Sequence, residues 1–134
     1  MDIKEFAQKY IKAQTEAWLH GKVDGFDELE DPNVVYHFQP PNPDRVGLEG
    51  HKKNFETIRK ALTDIQVEWK YLTGEGNLFA VSYGARAMFT GELSGRPPPT
   101  GKEVTINEMV LCRLEKGKIV EVWMAGSFTG IANQ

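Results

Sequence analysis

Phe89-Thr90-Gly91-Glu92-Leu93, the turn Pro97-Pro98-Pro99-Thr100-Gly101-Lys102, the alternating run Val104–Leu114, Glu115-Lys116-Gly117-Lys118 and Ile119-Val120-Glu121-Val122-Trp123 together decide the fold. They spell strand, tight crossover, strand, hairpin and strand within about 35 residues. Upstream, Leu78–Thr90 is apolar on both faces and dotted with Ala80, Ser82, Gly84, Ala85 and Ala87. Small residues along a long strand permit strong curvature and close backbone approach. Before it, Ile65, Val67, Trp69 and Tyr71 alternate with Gln66, Glu68 and Lys70, a strand with one wet face. Gly74-Glu75-Gly76-Asn77 supplies the turn between the two. Everything after Asp64 therefore reads as antiparallel sheet.

The half before Asp64 is mostly helical. Ile3, Phe6, Tyr10, Ile11, Ala17 and Trp18 form one stripe, opened by a capping-box-like Asp2 and Glu5 and closed by Gly21. Asp24–Glu30 reads as a short helix with Phe26 and Leu29 inward, stopped at Asp31-Pro32. Asn33–Gln39 is a short strand broken by Pro40-Pro41, and the loop to Gly50 is expected to be exposed. A helix from about His51 to Leu62 carries Phe55, Ile58, Arg59 and Leu62 on one side. Helices followed by a long meander give an α+β pattern, with the helices on the concave face of a bent sheet and a conical pocket at its wide end.

Composition narrows the function class. At 134 residues the chain is expected to form a single domain over 1–134, with no linker, repeat or low-complexity tract. Its net charge of −3 and dispersed basic residues argue against a nucleic-acid partner, because phosphate contacts need clustered Lys and Arg. Lys52-Lys53 and Arg59-Lys60 read as a solvated helix face. No run approaches the roughly 20 apolar residues of a membrane span, and the N-terminus lacks the apolar core of a signal peptide. A cytoplasmic location is the expectation. The single Cys112 lies in an apolar strand and reads as a buried inert thiol. Three widely spaced histidines give no metal-site pattern.

Motif order and spacing along nearly the whole chain resemble the SnoaL-like polyketide cyclases and ester cyclases of the NTF2-like superfamily. Trp18-Leu19-His20-Gly21-Lys22-Val23-Asp24 resembles the end of that family's first helix, and Val35-Tyr36-His37 before Pro40-Pro41 its first strand and proline-rich loop. Gly47-Leu48-Glu49-Gly50 with Phe55, and Ala61-Leu62-Thr63-Asp64-Ile65, resemble the third helix and its exit. Thr90-Gly91-Glu92, Pro98-Pro99-Thr100-Gly101-Lys102 and Gly117-Lys118-Ile119-Val120-Glu121-Val122-Trp123 complete the likeness. The resemblance implies an NTF2-like α+β cone, a cofactor-free cyclase or isomerase acting by proton transfer, and a homodimer built on the convex sheet face.

Departures from the family pattern fall at polar positions. The family's usual His before Thr-Gly is here Phe89, its Asp after the last-strand Trp is Met124, a further Asp aligns with Val110, and the acidic residue after the first-strand His is Phe38. Ring closure by an aldol step needs groups that move protons, each contributing roughly 10²- to 10⁴-fold. Phe, Met and Val cannot.

The remaining polar residues set the candidates. His37 matches the family's first-strand His and could act as base or donor, or simply bond to loop backbone. Glu108 shares strand parity with Val104, Ile106, Val110, Cys112 and Leu114; desolvated there, its carboxyl would suit acid–base work, unless a bulge turns it outward. The family usually has Gly at that position. His37 and Glu108 are thus the expected catalytic pair, with Trp18, Phe38, Phe55, Tyr83, Phe89, Val110 and Met124 expected to touch a small apolar ligand. Arg86 could pair with Glu108 or Glu121, or clamp a substrate carboxylate. Tyr36 and Tyr83 offer inward hydroxyls, while Glu121 and Trp123 belong to the outer face. Met88, Met109 and Met124 read as adaptable packing that would also suit a planar ligand. Two function classes follow: a cyclase or isomerase for a small carbonyl-bearing substrate, or an NTF2-like dimer that binds an apolar molecule without turnover. Epoxide hydrolysis is disfavoured, because no Asp follows Asp64.

Overall fold

The computed structural model describes residues 2–92 and 98–129. Helix α1 (Ile3–His20) begins where the Asp2 carboxylate accepts hydrogen bonds from the Lys4 and Glu5 amides. It stops at Gly21, whose φ of 70° lets its amide return to the Ala17 carbonyl. Phe6, Tyr10, Gln14 and Trp18, spaced four apart, form its buried stripe. A 3-10 turn (Asp24–Glu28) follows, then β1 (Glu30–His37), β2 (Arg45–Val46), α2 (Leu48–Ala61), β3 (Leu62–Glu75), β4 (Leu78–Phe89), β5 (Glu103–Glu115) and β6 (Lys118–Thr129).

The strands form one sheet in the order β2-β1-β6-β5-β4-β3. The meander β3 to β6 is antiparallel throughout, and β1 pairs parallel with β6, which makes the sheet mixed. Gly126, opposite Glu108, allows the tightest approach: a Cβ there would lie 2.0 Å from the Asn107 carbonyl oxygen. Inward-facing Phe79, Val81, Phe89, Val104, Val110, Cys112 and Val122 pack beneath α1 and α2 as the core. This is the α+β arrangement expected from the meander.

Differences from expectation are local. The strand β1 starts at Glu30 and runs through Pro32; a register shift between Glu30 and Val35 absorbs the missing amide. Helix α2 starts three residues earlier than its apolar spacing suggests, on Gly47. The loop after Pro40 contains the two-residue strand β2. The part of the crossover at 93–97 lies outside the described residues. No bulge interrupts β5 around Glu108, whose neighbours pair in register from Thr105 to Arg113, so its carboxyl stays on the inner face.

Candidate active site

Between the helices and the concave sheet lies a cavity of about 600 Å³. Helix α1 contributes Tyr10, Gln14 and Trp18; α2 contributes His51, Phe55 and Ile58; the sheet contributes Tyr36, Phe38, Trp69, Tyr83, Ile106, Glu108 and Met124. Asp44 and Arg45 stand on the loop side. Strand alternation explains the set, since Tyr36, Tyr83, Glu108 and Met124 each share parity with buried neighbours, and Trp69 with the half-buried Ile65, Val67 and Tyr71 that pack against the core. The aromatic walls are tied together: Trp69 stacks on Tyr83 at 4.3 Å, and Trp18 meets Phe55 edge-on at 5.6 Å.

Several polar groups sit in this apolar frame without protein partners. The Gln14 side-chain nitrogen, both His51 ring nitrogens and the Trp69 indole nitrogen are buried and make no hydrogen bond. Unmet buried donors are costly, so they are usual only where something else supplies the partner. His51 lies parallel to the Tyr36 ring at 4.3 Å. Burial, with the nearby Arg45 charge, lowers its pKa to about 3, so its imidazole is neutral.

Two tyrosine–carboxyl pairs complete the chemistry. The Tyr83 hydroxyl donates to Glu108 Oε1. Burial raises the Glu108 pKa, while the Tyr83 hydrogen bond and the charge of Arg45 pull it back down. The Arg45 guanidinium lies 4.8 Å from the Phe38 ring centre, and burial lowers its pKa. Deeper, the Tyr36 hydroxyl donates to Glu30 Oε1, and the Glu30 carboxyl is wholly buried. Desolvation pushes Glu30 to about 7 against the lowering effects of Tyr36 and Lys52.

The cavity gathers Glu108 with Trp18, Phe38, Phe55, Tyr83 and Met124 of the expected site residues. Phe89 and Val110 are on the inner parity but outside the lining, 0% and 1% exposed within the core. His37 is also placed elsewhere. Because Tyr36 points inward, His37 points outward, stacking on Trp123 and contacting Glu121 at 2.6 Å and Asp44 at 3.1 Å. These carboxylates raise its pKa, led by the Glu121 hydrogen bond, and His37 in turn leads the lowering of Glu121. The expected pairing of His37 with Glu108 is thus not formed. Arg86 reaches Gln66 at 3.4 Å rather than either glutamate, and Arg113 holds Glu121 instead. Gln14, Arg45, His51 and Trp69 line the cavity and were not singled out from the sequence, nor was Glu30, which lies outside the lining as the partner of Tyr36. For Gln14 and His51 a signal existed: each is a polar residue four positions from an aromatic on an otherwise apolar helix face.

Among the described residues no cluster of three or more His, Cys, Asp or Glu side chains could hold a metal ion. No described helix is long and apolar enough to cross a membrane.

The sequence matches the family model for the SnoaL-like polyketide cyclases over residues 8–134. No curated protein matches it. Among solved structures, IdmH from Streptomyces antibioticus, a candidate polyketide cyclase, superposes with a TM-score of 0.71 at 25% identity, covering 91% of each chain. AclR from Streptomyces galilaeus, a candidate hydroxylase, gives 0.74 at 24% identity over 92% of this chain and 90% of its own. An NTF2-like protein from Anabaena variabilis gives 0.71 at 16% identity over 92% and 87%. With the family model spanning residues 8–134 and the described residues forming two α-helices packed on a six-stranded mixed sheet, the chain belongs to the SnoaL-like polyketide cyclase family and has the NTF2-like fold.

Proposed function

We propose that the cavity holds a small, mostly apolar, carbonyl-bearing molecule and catalyses a cofactor-independent proton-transfer reaction of the cyclase or isomerase type, with Glu108 as the base. The observation that carries this reading is the coincidence, in one apolar cavity, of a desolvated carboxyl with buried donors that lack any protein acceptor. The family and the likeness to IdmH support it.

The proposed chemistry uses only these side chains. Glu108 takes a proton from the carbon beside a carbonyl, and the C–H electron pair moves onto the carbonyl oxygen. Donors among Gln14, His51 and Trp69 hold that oxygen; a single well-placed donor to a developing oxyanion is worth roughly 10²- to 10³-fold. In an isomerisation the protonated Glu108 returns its proton to a different carbon. In a cyclisation the enolate carbon attacks a second carbonyl, a C–C bond forms, and the new alkoxide takes the proton from Glu108. Burial that raises the Glu108 pKa strengthens it as a base, and Tyr83 fixes its orientation.

Binding without turnover is the second reading. Its support is Met124, which brings a thioether to the cavity where the family resemblance implies an Asp. The α-proton exchange of 2-tetralone in D₂O, followed by proton NMR, separates the two. Catalysis predicts accelerated exchange that falls by roughly 10²-fold or more in Glu108→Gln. Exchange at the uncatalysed rate with wild-type protein, or at an unchanged rate in the variant, removes Glu108 from any mechanism.

The homodimer through the convex face belongs to the same proposal. Exposed Met109, Leu111 and Trp123 adjoin one another there on β5 and β6, with Leu111 and Trp123 in register, and a second copy is the proposed cover. Sedimentation of Trp123→Lys, expected to be monomeric beside a dimeric wild type, tests it; a monomeric wild type overturns it.

A further inference from the structure

We propose that Arg45 anchors a carboxylate of the ligand, so that the molecule this cavity takes is a keto acid, held by its acid end at the β2 edge of the sheet and by its ketone toward the β3 edge. This rests on the reading of the cavity as a ligand site and narrows the class of molecule that fits it.

Among the described residues that line the cavity, Arg45 is the one cation, because His51 is neutral. Its position follows from the fold. Strand β2 sets Arg45 opposite Tyr36 of β1. Gly50, in the first turn of α2, leaves room for the stem of the side chain: a Cβ there would lie 3.4 Å from Arg45 Cγ. The half-buried guanidinium comes to rest 4.8 Å from the Phe38 ring centre and 6.0 Å from that of Tyr36. Both residues line the cavity with it.

What the guanidinium lacks is an acceptor. Among the described residues it makes no hydrogen bond and no ion pair, only these two ring contacts. Acids stand nearby, yet each is committed elsewhere. Asp44 contacts His37 at 3.1 Å, Glu121 is shared between His37 and Arg113, and Glu108 accepts from Tyr83. Five N–H donors in a planar fork match the two oxygens of a carboxylate. Partial removal from water strengthens such a pairing.

Sheet order separates the two polar ends of the site. Strand β2, with Arg45, is one edge of the sheet, and β3, with Trp69, is the other. Helix α1, which brings the unpartnered Gln14, packs on β3. Glu108 stands on β5, between the edges. A ligand spanning the cavity thus sets its carboxylate on Arg45, its ketone against Gln14 or Trp69, and the C–H beside that ketone over Glu108. The anchor also bears on the chemistry. The Arg45 charge is one of the influences that lower Glu108, and a bound carboxylate offsets that charge, leaving Glu108 the stronger base.

Calorimetry with 2-naphthoate and its neutral isostere 2-naphthamide tests the anchor. Wild type should bind the naphthoate about 5- to 30-fold more tightly, the margin of a charge-assisted pair over a neutral hydrogen bond. The preference should fall to about twofold or less in Arg45→Gln. It should survive in Arg86→Gln, which alters an exposed arginine that reaches Gln66 instead of the cavity. Equal affinities in wild type, or a preference that persists in Arg45→Gln or disappears in Arg86→Gln, overturn the anchor while leaving the cavity a ligand site. If Arg45→Gln does not fold, nuclear Overhauser contacts in wild type decide instead. The naphthoate protons flanking the carboxylate must then meet the Phe38 ring, which the guanidinium covers; contacts from that end to Trp69 and none to Phe38 overturn the anchor. Failure of both probes to bind tells against the cavity as a ligand site, and the anchor falls with it.

Discussion

Replacing Glu30 by Gln should change how stability depends on pH, because two buried groups in wild type oppose one another. Glu30 is a carboxyl raised from 4.5 to about 7. Across that window the folded state keeps a proton that the unfolded chain has lost, so Glu30 makes stability fall as pH rises. His51 is an imidazole lowered from 6.5 to about 3. Across its window the unfolded chain binds a proton that the folded state refuses, so His51 makes stability fall as pH falls. Each slope approaches about 1.4 kcal/mol per pH unit. Where the windows overlap, from 4.5 to 6.5, the slopes have opposite signs and largely cancel. Glu30→Gln removes one of them, so its stability relative to wild type should climb by about 2 to 3 kcal/mol as pH rises through the overlap. His51→Phe, which can remain within the cluster of Phe26, Tyr36 and Phe55, should show the opposite trend of similar size. Urea denaturation at a series of pH values measures both, and differences from wild type cancel the other titrating groups. A Glu30→Gln difference that is flat with pH would falsify the assignment of a neutral acid at this site.

Two further outcomes follow from the corrected placements. Phe89→Ala should lower stability by about 3 to 5 kcal/mol, the usual cost of deleting a fully buried phenyl, yet leave the affinity of the folded protein for 2-acetylnaphthalene within about twofold; a selective loss of affinity would return Phe89 to the cavity. His37→Gln should shift stability by less than about 1 kcal/mol, because its partners are solvent-screened, and should not alter 2-tetralone exchange. Loss of exchange in a folded His37→Gln protein would restore the expected catalytic role.

The sheet was legible because its signals are local and redundant: alternation in β3 to β6, Gly-containing turns between the strands, and a helix bounded by Asp2 and Gly21. The β1–β6 parallel pairing was not, since Asp31-Pro32 reads as a stop and nothing local marks a bulge that carries a strand through a proline. That error hid Glu30, whose position at the strand's start buries it. Parity placed Glu108 and Tyr83 correctly, yet parity alone cannot separate cavity from core, and so Phe89 and Val110 were grouped with true lining residues. His37 was misplaced because the motif resemblance outweighed the alternation of its own strand, where an inward Tyr36 forces its neighbour outward. Gln14 and His51 interrupt apolar helix faces, and such interruptions are the signal that would have located the polar side of the site.

The infrared carbonyl stretch of bound 2-tetralone, labelled with ¹³C at the ketone, tests the account at its centre, because it reports whether the unpartnered donors of this cavity take hold of a carbonyl oxygen. A band at lower frequency than for the same ketone in hydrocarbon solvent, moving back toward that value in Gln14→Leu or His51→Phe, is the predicted result. A bound ketone whose band coincides with its hydrocarbon value would contradict it.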